Sequence, residues 1–224
     1  MGSFEPQIIS YYGIKRNKEE INTPLNYAIE CIDIQKKKEE SKDVWGGSIF
    51  NDITKLESNN VGEVGETFIE KLCKKTEIES SINGTKTKQI GGGIGDGKIK
   101  NKTNEIKTAR LGNGGSKSFQ HELGEYPWKA DYMTFIDFTP IYIYITIFPN
   151  WPEEYYKKSG IDKSKKCSPY FPTRTITQRK GGFNFKLDTT VSINEKNVKN
   201  GYTLKITKDT LFKDVKNYID KIII

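Results

Sequence analysis

Asp96, Glu105 and Lys107 have the residue types and spacing to act on a phosphate, within IGGGIGDGKIKNKTNEIKTAR (residues 90–110). Residues i and i+2 of a strand project from one face, so Glu105 and Lys107 point together. If the residues before them form a hairpin, Asp96 approaches Glu105. Two carboxylates and the backbone carbonyl of Ile106 then make a hard-oxygen site suited to Mg²⁺. Lys107 adds a positive charge able to orient an attacking water and to stabilise charge developing on a phosphate. Glu66, on a predicted upstream helix, is a further carboxylate that could bind directly or through water.

Other chemistries fit these residues less well. Gly92 and Gly97-Lys98 have the spacing of a phosphate-binding loop, but the next position must be Ser or Thr to hold magnesium. It is Ile99. His121 is the only histidine, so zinc sites built from several histidines cannot be assembled, and no G-x-S-x-G elbow accompanies it. Cys31, Cys73 and Cys167 are widely spaced and odd in number, which argues for a reducing compartment. No signal-peptide or membrane-spanning run is evident, so an intracellular protein is expected. A net charge of +7 favours a polyanionic partner, nucleic acid first. A composition rich in Lys, Asn and Ile would carry much of that charge without any such partner.

The elements that must position these residues are readable in outline. At 224 residues the chain is expected to be one domain. Thr23-Pro24 starts a helix with Leu25, Ile29 and Ile32 on one face, and KKKEESKD (36–43) is its solvated end or a loop. Trp45 to Leu56 reads as a second short helix, broken by Ser58-Asn59-Asn60. Val61 to Lys75 has Val61, Val64, Phe68, Ile69 and Leu72 at helical spacing. Glu66 lies at the edge of that apolar face, whereas Glu63 and Glu70 look solvated. DGKIK and NEIKTARL read as paired strands around a KNKTN turn. A second pair turns at Thr139-Pro140; beyond it Ile141, Ile143, Ile145 and Ile147 alternate with Tyr142, Tyr144 and Thr146, marking one buried face. WPEEYYKK reads as helix, TRTITQRKGGFNFKLDTTVSI as strand with a Gly-Gly break. The last segment is an amphipathic helix with Leu211, Val215, Ile219 and Ile222 on one stripe and Asp209 as cap. The fold class is α/β (α+β): a central mixed β-sheet flanked by helices.

VGEVGETFIEKL, GDGKIKNKTNEIKTARLG and SFQHELGEYPWKADYMTFIDFTPIYIYITIF together resemble the PD-(D/E)xK nuclease superfamily, and within it the type II restriction endonucleases. The resemblance covers residues 61–148. It implies a helix acid at Glu66, metal ligands at Asp96 and Glu105, and a catalytic lysine at Lys107. Gly95 precedes Asp96 where the family pattern has proline. Implied with it are a restriction-endonuclease-like core, a Mg²⁺ cofactor, a double-stranded DNA substrate and 5′-phosphate products. A palindromic target requires two active sites, hence a homodimer, and a restriction role implies a partner methyltransferase. The chain then divides into a mainly helical part (1–60), a catalytic core (61–148) and DNA-recognition and C-terminal elements (149–224).

Phosphate and base contacts need Arg, Lys, Gln, Thr and His side chains on reachable loops. One candidate segment holds Thr108, Arg110, Asn113, Lys117, Gln120 and His121, with His121-Glu122 read either as support behind the metal site or as a plain loop contact. A second holds Arg174, Gln178, Arg179 and Lys180 beside glycines that permit close approach. A structure-specific or repair nuclease of the same fold, and a non-catalytic DNA-binding protein, are the alternative readings.

Overall fold

In the computed structural model, residues 24–40, 42–82, 94–124, 129–150, 175–179 and 182–224 are described. Contacts divide the chain into two units, 1–43 and 44–224. The first contributes helix α1 (Pro24–Glu40). It starts at the expected proline, but Leu25 and Ile32 of the expected apolar stripe are exposed.

The second unit is built on a six-stranded mixed sheet. A 3₁₀ helix (Asn51–Lys55) leads into α2 (Ser58–Lys75). The helix predicted over Trp45 to Leu56 is limited to that one short turn, because Gly46-Gly47 follow Trp45 and Gly47 takes a positive φ of 77°. Trp45 is instead an anchor, fully buried, its Nε1 donating to the Leu111 carbonyl at 3.1 Å. Ser58-Asn59-Asn60, expected as a break, forms the first turn of α2.

Strands β1 (Ser80–Ile82), β2 (Gly97–Ile99) and β3 (Lys102–Arg110) run antiparallel in succession. The β2–β3 turn is tighter than KNKTN implied: Ile99 pairs with Lys102, leaving Lys100 and Asn101 at φ 49° and 60°. That is the left-handed geometry which matches strand twist in a two-residue hairpin. The left-handed conformation of Lys100 costs roughly 1–2 kcal/mol. It is offset where Lys100 Nζ reaches the Ile223 carbonyl at 2.8 Å and Asp220 at 3.2 Å.

From β3 the chain enters β4 (Ser118–Gly124) in a separate sheet, then returns as β5 (Tyr132–Phe138) parallel to β3. Strand β6 (Ile143–Pro149) closes an antiparallel hairpin on β5, and β9 (Thr203–Ile206) pairs beyond it. The main-sheet order is β1-β2-β3-β5-β6-β9. Strands β7 (Thr175–Arg179) and β8 (Gly182–Thr190) join β4 in a three-stranded antiparallel sheet of order β4-β8-β7. The expected strand TTVSI ends at Thr190, whose side chain accepts from the Ile193 N–H and caps α3 (Val191–Lys199).

Register divides the main sheet into two faces. One carries Ile106, Thr108, Ile136, Ile145 and Ile147 and is covered by α2 and by α4 (Phe212–Ile222). The other carries Glu105, Lys107, Phe135, Asp137, Tyr144 and Thr146, and meets the second sheet and α3. This corrects the reading of β6 as a one-faced strand. Ile143 to Phe148 are all buried, because Tyr144 packs edge-on against Phe119 of β4 and Thr146 hydrogen-bonds Thr203. Ile141, counted with the buried set, is 73% exposed in the turn.

In α4, Val215 and Ile219 are buried as expected. Its start is secured by Asp214, which accepts from the Leu211 N–H at 2.9 Å, rather than by Asp209, and Leu211 is exposed. Tyr218 completes the end of β6 beyond its pairing with β9. Its hydroxyl accepts from the Ile147 N–H and donates to the Tyr202 carbonyl, both at 2.8 Å. Among the described residues no helix is long and apolar enough to cross a membrane. The segment 151–174, read as containing a helix, lies outside the described residues, as do Gly91 to Gly93. Replacing Tyr218 by Phe strands a buried N–H and should cost about 1–3 kcal/mol. Urea unfolding of Tyr218→Phe should show that loss as a lower midpoint with unchanged slope.

Candidate active site

The site is where β2 parts from β3. The two strands pair through Gly97 and Asn104, and the Asp96 N–H still donates to the Asn104 carbonyl at 2.8 Å. Beyond that point, among the described residues, the backbone of β3 has no strand partner on this side. The Asp96 carboxylate takes over, accepting from the Ile106 N–H at 2.7 Å. The N–H and C=O of one strand residue point to the same edge, so the Ile106 carbonyl is directed toward Asp96 as well.

Gly95 makes this turn possible. Its φ is +102°, and a Cβ there would overlap the Asn104 carbonyl oxygen, with the carbonyl carbon 2.6 Å away. Proline, fixed near φ −65°, cannot occupy such a position. The departure from the family pattern is therefore a requirement of this hairpin.

Glu105 and Lys107 project from the same face of β3, as their spacing predicts, and are joined by a salt bridge from Lys107 Nζ to Glu105 Oε1. Glu105 is only 1% exposed, and its second oxygen, Oε2, is buried with no hydrogen-bond partner. Burial pushes its carboxyl up to about 7; the Lys107 charge opposes this, and the charges of Asp96 and Glu66 add to it. Asp96 is raised too, first by burial, against the Ile106 N–H and the Lys107 charge. Two neighbouring carboxylates resist ionising together, and an added positive charge would favour their ionised forms.

Glu66 comes to this group from α2, on the opposite face of the sheet. The approach depends on Gly65, where a Cβ would overlap the Thr108 hydroxyl and meet Ile136 Cδ1 at 3.0 Å. The bare backbone lets α2 lie against β3, so the next residue reaches the edge where Asp96 and Glu105 meet. Glu70, expected to be solvated, accepts from Ser80 Oγ at 2.8 Å and the Ile82 N–H at 3.1 Å, tying α2 to β1.

The donor set fits a hard divalent cation such as Mg²⁺: two carboxylates, a strand carbonyl on the same edge, and a buried oxygen left without a donor. Among the described residues no three His, Cys, Asp or Glu side chains gather closely enough to hold one metal ion.

The residues expected to meet DNA are distributed differently. Thr108 is under α2 against Gly65. Arg110 holds the chain around it, donating to Asn113 Oδ1 at 2.8 Å and to the Thr54 carbonyl at 3.4 Å. His121 is buried, with its ring stacked on Phe135 at 4.1 Å and Nε2 bonded to Asp137 Oδ1 at 2.7 Å, so it faces no open surface. Lys117 and Gln120 are exposed at the start of β4. Gln178 and Arg179 lie on β7, described to the backbone; Arg174 and Lys180 lie outside the described residues. Sequence reasoning did not find Asp137, which also accepts from Thr189 at 2.9 Å and from Asn194 at 2.7 Å. Its signal was one acid in an otherwise apolar strand, YMTFIDF.

Two measurements test this geometry. Gly65→Ala overpacks the α2–β3 contact and should cost about 1–3 kcal/mol, while weakening Mg²⁺ binding seen by calorimetry. The raised Glu105 contributes stability that is fully present below its ordinary 4.5 and lost as pH rises through about 7. The melting temperature of the metal-free protein should therefore fall across that window, and Glu105→Gln should remove this part of the fall. Superimposable pH profiles would contradict the assignment.

No protein family, curated protein or solved structure matched this chain in any of the three comparisons made.

Proposed function

We propose that this protein is a Mg²⁺-dependent endonuclease acting on double-stranded DNA, of the site-specific restriction type. The observation that carries this reading is the gathering of Asp96, Glu105 and Lys107 at the open edge of β3, with Glu105 Oε2 buried and unpartnered. Asp96, Glu105 and the Ile106 carbonyl would hold the ion, which when bound neutralises phosphate charge and makes water a better nucleophile at neutral pH.

The chain's own groups supply the rest. Lys107, on the same face of β3 as Glu105, would present its ammonium to the phosphate. There it orients the attacking water and stabilises the growing negative charge. Glu66, whose charge is felt at Glu105, would hold a water beside the two carboxylates. The water oxygen bonds to phosphorus and gives up its proton to solvent as the bond to the 3′ oxygen breaks. That oxygen takes a proton and leaves as the 3′-hydroxyl, and the phosphate stays on the 5′ end. The net charge of +7 favours a phosphate backbone. A palindromic site would bring two copies of the chain together, one active site per strand.

Phage-sized DNA incubated with Mg²⁺ should give discrete fragments whose sequenced ends share one site. A smear, or cuts only at junctions and lesions, would favour the structure-specific alternative. Asp96→Ala and Lys107→Ala should lose nearly all cleavage, on the order of 10³-fold or more, while still binding duplex DNA in Ca²⁺. Near-wild-type turnover in either variant would sink the assignment.

A further inference from the structure

We infer that His121 is a positioning residue: through Asp137 and Phe135 it lets the second sheet set the placement of Lys107. The inference rests on the site reading above and extends it to a part of the molecule that touches none of the reacting atoms.

Asp137 is 1% exposed and accepts from three donors on three different elements: His121 of β4, Thr189 of β8 and Asn194 of α3. One carboxylate of the catalytic sheet thus fastens the second sheet and its following helix. A buried ion-like cluster is weak evidence for stability, since apolar packing of equal volume often does as well. What such a cluster does supply, when its members are bonded, is a single arrangement of the parts it joins. Here the arrangement has an evident object. Phe135 is the register partner of Lys107 on the adjoining strand and shares its face. The His121 ring lies nearly parallel on Phe135, 16° from coplanar. One imidazole is therefore bonded to Asp137 and stacked on the immediate neighbour of Lys107.

The other end of the connection faces outward. Gln120 and Glu122, on either side of His121 in β4, are exposed, and β8 joins β4 to β7, which carries Gln178 and Arg179. A duplex gripped by this sheet would load β4, and the His121 ring is one contact by which β4 bears on Phe135. Cleavage then depends on the second sheet being correctly seated, which is a route to specificity distinct from affinity.

Two substitutions separate packing from bonding. His121→Phe keeps a flat ring on Phe135 and loses the bond to Asp137, whereas His121→Gln keeps a donor for Asp137. Thr189→Val removes a different donor and carries the test if His121→Phe fails to fold. The first readout is amine labelling of Lys107 in the DNA-free, metal-free full chain, followed by mass spectrometry. Labelling should rise in folded His121→Phe and Thr189→Val, and rise less in His121→Gln, which keeps a donor for Asp137 but gives up the stacked ring. The second readout is single-turnover cleavage beside duplex binding in Ca²⁺. The rate should fall up to about 10²-fold in His121→Phe with binding unchanged, and His121→Gln should recover part of it. Unchanged Lys107 labelling in the folded variants overturns the inference, whatever the activity. If labelling behaves as expected but the wild-type chain cleaves no DNA, the positioning stands and the nuclease reading falls.

Discussion

The burial of the Glu105 carboxylate is the constraint to which the rest of the site answers. A charge with almost no access to water is tolerated only beside compensating groups; Lys107 is bonded to Glu105, while the charges of Asp96 and Glu66 work against its ionisation. Asp96 cannot move away to relieve the crowding, because it is the acceptor for the Ile106 N–H that β2 leaves unpaired. Gly95 cannot be exchanged for an ordinary residue without displacing Asp96. Burial raises both carboxyls, so in the metal-free chain the pair resists full ionisation.

The chemistry-bearing strand was legible because its information is local. The i, i+2 spacing of Glu105 and Lys107, the short polar turn before them and the helical stripe of Val61 to Lys75 all specify structure within a few residues. The alternation of β6 was read correctly as strand and incorrectly as half-exposed. Period-two patterning says which side chains share a face, not whether a second layer covers the other one. Tyr144 and Thr146 look outward-facing in sequence and are interface residues in the fold.

The same limitation applies to the residues expected to meet DNA. Thr108, Arg110 and His121 have the right chemical types for phosphate and base contact, and their types alone do not separate reach from burial. Thr108 fills the space left by Gly65, Arg110 ties down a loop, and His121 belongs to the Asp137 cluster. A lone aspartate in an apolar strand calls for a buried partner, but its donors come from three separate elements. No pattern within a short window relates them.

The two polar constellations also differ in what they ask of the unfolded chain. Asp96 and Ile106 are 10 residues apart and joined through a two-residue turn, so bringing them together closes a short loop at small entropic cost. Thr189 and Asn194 must be recruited to Asp137 across 52 and 57 residues. Contacts of such separation are late and slow relative to a hairpin. The carboxylate pair therefore assembles first during folding, and the layer that covers its face is fastened only afterwards.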